Sequence, residues 1–385
     1  MKFIINTKHF ASVLTALTKV ISSKSLDYSG FIRFNAAPDG VSITATSDGF
    51  RLLRVWVPAG EALSVQENGQ ALIPGRVLSE LIGLVTSDEV TLSCSHTSGS
   101  TAVIAWDGGR SELPVLNDTR FPVVEDVIHL DENAATFSIP VNGLIDALDA
   151  VLYAAGTDTS LRPVLTGVCV DGSGKGVALC ASDARKLAAC DILGATCDTK
   201  DRTILEGGDA RLLKSILGRG EDTVSIHAAA SGDIIVVCGA FLLRTKSVPG
   251  RFPDYCSVIP SNDQTLEAAA GDLCGSVKRA TAMPGTTHVT LSVKSDLVDA
   301  VTDVSAFSIA LDSNSHDRFA CTFDGDAAEL TFDADFLLET VAALRCERVA
   351  LRLRDGKSAV LFESADTENP KATVRRLAIL MPVRK

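Results

Sequence analysis

The chain has 385 residues, 46% of them hydrophobic and 22% charged, and its formal net charge is −12. This composition is typical of a globular protein, excludes a largely disordered chain and predicts two to four domains. Proteins that coat nucleic acid through their overall charge are basic, so nucleic-acid binding here would require a local basic surface.

Neither a membrane segment nor a secretory leader is visible in the sequence. The longest apolar run, 234–243, is about half as long as a spanning helix needs, and we interpret it as one buried strand. The opening residues lack the apolar block of a signal peptide. The ten cysteines include no CxxC pair, which is typical of free thiols in a reducing cytosol. We therefore expect a cytoplasmic protein.

Helix signals recur three times along the chain. Amphipathic helices are predicted to begin near residues 7, 140 and 271, because apolar residues recur there at i, i+3, i+4 and i+7. A second helix follows in each third, with Pro74 in the first turn of one and Asp209 and Asp333 as N-caps of the others. The second helices are predicted over 74–85, 209–217 and 333–344.

Two short motifs also recur in the chain. Residues 47–52 (SDGFRL) return as 182–187 (SDARKL), and an Arg-Phe-Pro triplet at 120–122 returns at 251–253. The segments between the helices are predicted to be strands. The chain therefore predicts an α+β fold of three tandem repeats, each with two helices packed on antiparallel sheet. The predicted domains are 1–128, 129–257 and 258–385. Three unrelated α+β domains remain the alternative.

Motifs for catalysis are scarce. The sequence contains neither GxSxG nor GxxxxGK[ST], and its six histidines are scattered without metal-ligand spacing. Glycine-rich stretches at 172–176 and 356–358 are interpreted as hairpin turns. Asp146 and Asp149 lie three apart on one helix but have no acidic neighbours in sequence. We expect no catalytic residue, no metal and no cofactor.

Basic residues lie on the predicted helices opposite the apolar faces. In the first helix Lys8 and Lys19 continue a polar stripe with Ser12 and Thr15. Other basic helix residues are Arg211, Lys214, Lys278, Arg279 and Arg345. If the repeats close into a ring, these side chains face one central space, where contacts with phosphates would be independent of sequence and sensitive to salt.

Four short motifs carry a family resemblance. The opening Met1-Lys2-Phe3 is similar to the start of the family's sequences. Residues 182–188 (SDARKLA) resemble the family segment TDGHRLA, and residues 250–255 (GRFPDY) resemble its segment GRFPDY. Residues 379–385 (ILMPVRK) are similar to the ending VVMPMRL. With the threefold layout, these motifs resemble the bacterial sliding clamp family, the beta subunit of DNA polymerase III.

The resemblance implies a DNA sliding clamp without an active site. Two subunits would join head to tail, domain 1 to domain 3, in a ring around duplex DNA, with helices lining the hole. The ring would tether the polymerase and so raise its effective concentration at the primer end. The implied partners are double-stranded DNA, the catalytic subunit of DNA polymerase III, a clamp loader that hydrolyses ATP, other proteins with a clamp-binding motif, and a second copy of the chain.

The resemblance also assigns candidate site residues. Those of a partner-peptide pocket are Leu165, Ser182, Ala184, Arg185, Lys186, Leu187, Pro253, Val258, Ile379, Leu380, Met381, Pro382 and Val383. Those that contact DNA are Lys24, Arg162, Arg211, Lys214, Lys278 and Arg279. Leu113 and Met283 are the candidates for the dimer interface.

The chain departs from the family pattern at several pocket positions. It has Ala184-Arg185-Lys186 where the family has Gly-His-Arg, and Ser257 where a basic residue is often found. Lys357 aligns loosely with a pocket valine, and Lys385 replaces a leucine. We therefore expect the same binding mode with a shifted peptide preference. Two other classes of function stay open: an α+β repeat scaffold that binds peptides without encircling DNA, and a hydrolase with a site between domains.

Overall fold

The computed structural model describes most of the chain. Described are residues 1–21, 28–47, 51–95, 101–117, 121–122, 131, 133–158, 162–220, 222–293, 300–308, 312–367 and 372–383. The predicted DNA contact Lys24, the predicted boundary at residue 128 and Lys385 lie outside these residues.

Three stretches of the chain follow nearly the same order of elements, which we call repeats 1, 2 and 3. Repeat 1 contains β1 (Lys2–Asn6), α1 (Thr7–Thr18), β2 (Phe31–Ala37), β3 (Gly40–Thr46), β4 (Leu52–Pro58), β5 (Leu63–Glu67), β6 (Gly69–Pro74), α2 (Gly75–Leu84), β7 (Glu89–Ser95), β8 (Thr101–Trp106) and β9 (Gly109–Pro114). Repeat 2 contains β10 (Ala135–Pro140), α3 (Val141–Val151), β11 (Gly167–Asp171), β12 (Val177–Ser182), β13 (Lys186–Ile192), β14 (Thr196–Cys197), β15 (Arg202–Glu206), α4 (Gly207–Ile216), β16 (Thr223–Ala228), β17 (Asp233–Cys238) and β18 (Phe241–Lys246). Repeat 3 contains β19 (Gln264–Ala269), α5 (Ala270–Ala280), β20 (His288–Val293), β21 (Ala300–Ser308), β22 (Ser313–Asp324), β23 (Ala328–Asp333), α6 (Ala334–Leu344), β24 (Arg348–Leu353), β25 (Val360–Ser364) and β26 (Val374–Leu380).

The chain divides into two compact units that cut through repeat 2. Unit 1 is Met1–Val141 with Leu212–Ser247, and unit 2 is Asn142–Arg211 with Val248–Lys385. The repeats follow the order of elements along the sequence, whereas the compact units follow which strands pair in the fold. The boundaries at 128 and 257 therefore stay a prediction about repeats.

Antiparallel pairing joins consecutive repeats inside each unit. In unit 1 the strand order β10-β16-β17-β18-β4-β3-β2-β6 places β18 of repeat 2 beside β4 of repeat 1, with Leu243 opposite Leu53. In unit 2 the order β15-β11-β12-β13-β26-β25-β24-β19-β22-β21-β20-β23 places β26 of repeat 3 beside β13 of repeat 2, with Ile379 opposite Leu187. We call these pairings joint 1 and joint 2. A further sheet of repeat 1 has the order β5-β1-β7-β8-β9.

The first helix of each repeat buries the apolar face that its periodicity predicts. In unit 1, Phe10 of α1 is fully buried against Phe3 and Phe34, with ring centroids 6.4 and 6.1 Å away. In unit 2, Leu273 and Val277 of α5 are fully buried in the core of repeat 3. Full burial of one such side chain contributes about 1.5–3 kcal/mol, so the sheets and helices stabilise each other.

Three local predictions were wrong. Pro74 is the N-cap of α2, which begins at Gly75, rather than a residue of its first turn. The apolar run 234–243 forms the hairpin β17–β18 rather than one strand, since it turns at Gly239, whose φ of 52° suits a glycine. Asp209 lies inside the first turn of α4, which begins at Gly207, so it is not the N-cap. Asp333 is the N-cap of α6 as predicted, because its carboxylate accepts hydrogen bonds from the N–H groups of residues 335 and 336. No helix in the described parts of the chain is long and apolar enough to span a bilayer.

Candidate functional site

An apolar cluster of unit 2 lies at joint 2. Leu165, Leu187 and Ile379, which the resemblance assigns to a peptide pocket, pack there with Phe252 and Tyr255. Leu380 belongs instead to the core of repeat 3, because successive side chains of β26 point to opposite faces of the sheet. The structure therefore brings three of the predicted apolar members together in this cluster and directs Leu380 away from them.

Apolar side chains next to this cluster are open to solvent. The exposed fractions are 54% for Val258, 40% for Met381 and 37% for Val383, and Pro253 is also exposed. These three are among seven large exposed hydrophobic residues found in the described parts of the chain. Pro382, between Met381 and Val383, is buried. Exposed apolar groups around a buried cluster are typical of a binding surface.

The turn between β12 and β13 forms the polar edge of this surface. Asp183 Oδ1 accepts hydrogen bonds from the N–H groups of Arg185 and Lys186, both at 2.8 Å. Ser182 Oγ donates to the Lys186 carbonyl at 2.9 Å, which closes the turn. Ala184 has a φ of 75°, a left-handed conformation that costs a non-glycine residue about 1–2 kcal/mol. The family glycine that this chain lacks therefore matches a real backbone requirement.

The backbone after β26 is fixed to two neighbouring segments. The N–H of Met381 donates to the carbonyl of Arg185 at 3.0 Å, and the N–H of Val383 donates to the carbonyl of Thr331 at 2.7 Å. The exposed side chains of Met381 and Arg185 thus extend from adjacent, hydrogen-bonded positions.

The two cations of the turn differ in their surroundings. Arg185 is exposed, whereas Lys186 is only 7% exposed. Lys186 Nζ lies 2.7 Å from Glu339 Oε2 and 4.1 Å from the ring centroid of Phe336, both on α6. The Tyr153 ring centroid lies 5.4 Å from the same nitrogen. Lys186 is therefore held by an ion pair and by cation–π contacts.

A buried polar network holds the GRFPDY segment. Asp171, 3% exposed, lies 3.0 Å from Arg202 Nε through its Oδ2. Burial opposes ionisation of Asp171, but hydrogen bonds from Ser173, Arg202 and Tyr255 outweigh it and leave the pKa of this carboxyl lowered. Burial, with the neighbouring Asp171, raises the pKa of Tyr255. The network anchors Tyr255, which in turn supports the apolar cluster.

The described DNA-contact candidates lie on α4, on α5 and, in the case of Arg162, shortly before β11. Arg162, Arg211 and Lys278 are exposed, and Lys214 is half-buried on α4. Arg279 of α5 is exposed but forms an ion pair with Asp317 of β22, which offsets its charge.

Helix contacts accompany both joints. At joint 1, Nζ of Lys19, just after α1, donates to the carbonyl of Ser215 on α4 at 3.1 Å. At joint 2, Arg345, just after α6, forms ion pairs with Asp146 and Asp149 of α3 at 3.4 and 2.5 Å. In each case the first helix of one repeat meets the second helix of the next. The two aspartates thus bind an arginine, and in the described parts of the chain no group of acidic, histidine and cysteine side chains could hold a metal.

The two predicted interface residues lie on β9 and just after α5. Leu113 of β9 is only 9% exposed, and Met283 is half-buried. Sequence reasoning predicted α2 but missed its exposed apolar residues: Val77 is 50% and Leu84 is 81% exposed, seven residues apart on one face. The signal was present: this helix has more apolar residues than its buried face, formed by Leu78 and Ile82, requires.

The fold and these joints define the class: an α+β protein of three tandem clamp repeats linked by strand pairing. A family model described as the N-terminal domain of the DNA polymerase III beta subunit matches residues 1–125. The beta sliding clamp of Escherichia coli K12 is 23% identical over 380 residues, covering 96% of this chain and 97% of its own. That of Synechocystis sp. PCC 6803 is 21% identical over 405 residues, covering 100% and 99%.

Solved structures show the same fold. A sliding clamp of Pseudomonas aeruginosa bound to griselimycin superimposes with a TM-score of 0.88 at 20% identity, with 100% of both chains covered. The beta subunit of DNA polymerase III from Thermotoga maritima gives 0.85 at 19% identity, covering 100% of this chain and 99% of its own. The family model thus matches the first third of the chain, and the whole chain shares the fold of these solved sliding clamps.

Proposed function

We propose that the protein is a DNA sliding clamp: two copies close into a ring around duplex DNA and tether the replicative polymerase. The tether raises the effective concentration of the polymerase at the primer end, and the clamp itself catalyses nothing. The observation that carries this proposal is the repetition of one kind of joint within the chain. Cytoplasmic location follows from that role.

A third joint of the same kind would need strands from two copies of the chain. In joints 1 and 2, the last strand of one repeat (β18, β26) pairs with the fourth strand of the preceding repeat (β4, β13). The corresponding third pair is β9 of repeat 1 with β22 of repeat 3. β9 ends its sheet, and the pairing of β22 with β19 begins only at Cys321. A second copy of the chain can supply each missing strand.

The helices support the same third joint. Joints 1 and 2 bring a first helix to a second helix, so the third would bring α5 to α2 of the other copy. α2 presents the exposed Val77 and Leu84, and both Leu113 and Met283 lie on or next to the elements that this joint would use. We therefore propose α2, β9, β22 and α5 as the interface between copies.

Basic side chains on the helices would contact the phosphates. Arg162, Arg211, Lys214 and Lys278 are the candidates among the described residues, and Lys24 keeps its predicted role. Arg279 is a weaker candidate because Asp317 already pairs with it. Such contacts tolerate any sequence and permit sliding.

Partner proteins would bind at joint 2. We propose that the polymerase catalytic subunit, the clamp loader and other partners insert a short peptide between the exposed Val258, Met381 and Val383. An apolar surface with polar groups at its edge suits a short linear peptide.

Topology gives the decisive experiment. The protein is loaded on nicked circular DNA, which is then linearised: a ring slides off the ends, whereas a scaffold that binds along a groove stays bound. Retention on the circle that survives linearisation would overturn the proposal. Charge reversal at Arg211 and Lys278 together should weaken retention and flatten its salt dependence, and an unchanged salt slope would discard these contacts.

A further inference from the structure

The two adjacent cations at joint 2 are not equivalent, and this bears on what the peptide site selects. Resting on the proposed function, we propose that Arg185 is the cation offered to the peptide, that Lys186 only positions it, and that the site selects peptides carrying an acidic residue.

Lys186 is already occupied. Its side chain is 7% exposed, with Nζ 2.7 Å from the Glu339 carboxylate and 4.1 Å above the Phe336 ring. A peptide carboxylate would have to displace Glu339 and open this packing to reach the ammonium group. Removing a buried charge from its partner leaves that charge unpaired, which is strongly unfavourable.

Arg185 has the opposite character. Its side chain is exposed, and within the described parts of the chain it forms no ion pair. The nearest carboxylate along the chain, Asp183, is engaged with the backbone N–H groups of Arg185 and Lys186. The Arg185 N–H and carbonyl are both hydrogen-bonded, so its guanidinium extends from a fixed backbone position. A planar guanidinium binds carboxylates in a fork geometry that a lysine cannot offer.

Lys186 fixes Arg185 through the turn they share. The Lys186 carbonyl accepts from Ser182 Oγ and from the N–H of Asp183, while its side chain is held on α6. Loss of that side-chain contact loosens the turn, and with it the Arg185 carbonyl that receives the Met381 N–H. Substitution of Lys186 should therefore change the affinity for every peptide by the same factor, whereas substitution of Arg185 should change the preference among peptides.

The test selects peptides from a library of random linear heptapeptides displayed on phage, with the full-length clamp as bait. The wild-type clamp should enrich sequences with Asp or Glu at one position. The best binder is then synthesised beside its isosteric Asn or Gln version, and both affinities are measured by fluorescence polarisation. An exposed ion pair predicts about a two- to fivefold preference for the acidic peptide.

Variants separate the two roles. Arg185→Gln should abolish the preference, whereas the control Arg354→Gln, at an exposed arginine in the β24–β25 turn, should keep it. Lys186→Met should weaken both peptides by about three- to tenfold without changing their ratio. Lys186→Arg should restore most of the affinity, and Glu339→Gln should add little to Lys186→Met in the double variant.

Three outcomes would overturn the inference. Loss of the acidic preference in Lys186→Met, with retention in Arg185→Gln, would make Lys186 the contact. Enrichment of peptides without an acidic residue would refute the proposed selectivity but would still support a peptide-binding pocket. Enrichment of no peptide at all on the wild-type clamp would overturn the pocket itself, and the DNA-linearisation experiment would still report separately on the ring.

Discussion

Replacing Leu84 by aspartate should dissociate the ring without unfolding the subunit. Leu84 ends α2 and is 81% exposed in the single chain. Burial of a whole leucine side chain contributes about 1.5–3 kcal/mol, so covering the exposed fraction at the third joint is worth roughly 1.2–2.4 kcal/mol. A closed dimer contains this joint twice, and the loss is therefore about 2.5–5 kcal/mol. That corresponds to a dimer dissociation constant about 50- to 5,000-fold higher, and an unpaired carboxylate in the joint adds to it.

The measurement is sedimentation velocity over a range of concentrations, with thermal unfolding followed in parallel. The matched control is Leu193→Asp, because Leu193 is 40% exposed and lies in the turn after β13, which is not one of the elements of the third joint. The free energy of unfolding of the Leu84→Asp subunit should change by less than about 0.5 kcal/mol, as at other exposed positions. An unaltered dimer dissociation constant for Leu84→Asp, or an equal effect of Leu193→Asp, would refute the assignment of α2 to the interface.

Three further predictions concern the pocket and its supports. Ala184→Gly should raise the free energy of unfolding by about 0.5–1 kcal/mol in urea titrations, because glycine relieves the left-handed strain at φ 75°. The pKa of Asp171 is lowered in the folded state, so the contribution of this carboxylate to stability is complete above about pH 5 and is lost as the pH falls through and below its unfolded value of about 4. The difference in unfolding free energy between wild type and Asp171→Asn, measured by urea titrations, should shrink over the same pH range. A difference that stays constant with pH would contradict the network. Iodoacetamide at pH 8 should alkylate the exposed Cys256 first and spare Cys190, whose pKa burial raises to about 12, until the protein is unfolded; mass spectrometry of digests reports the order.

Much of the fold could be predicted from the sequence because its signals are local. The buried faces of α1 and α5 follow from apolar spacing within eleven or twelve residues, and the N-cap Asp333 follows from its position before such a run. The same local reasoning failed at 234–243, where a uniformly apolar run carries no period and hides the turn at Gly239.

The candidate site was predicted in part. Resemblance of short motifs named Leu165, Leu187 and Ile379, and the structure packs them in one cluster. It could not tell that Leu380 faces the other side of β26, since that depends on the strand's register. Nor could it show that Val77 is exposed, because the apolar residues of α2 fit more than one face.

The sequence by itself determined the threefold order of elements and the resemblance to sliding clamps, since repeats and motifs are written along the chain. Only the tertiary structure decided how charges and strands are paired. Arg279 meets Asp317, Lys186 meets Glu339, and Arg345 meets Asp149, over separations of 38, 153 and 196 residues. The strand pairs of joints 1 and 2 likewise unite distant segments. Contacts at such separations depend on the path of the folded backbone, whereas periodicity and capping depend on residues a few positions apart.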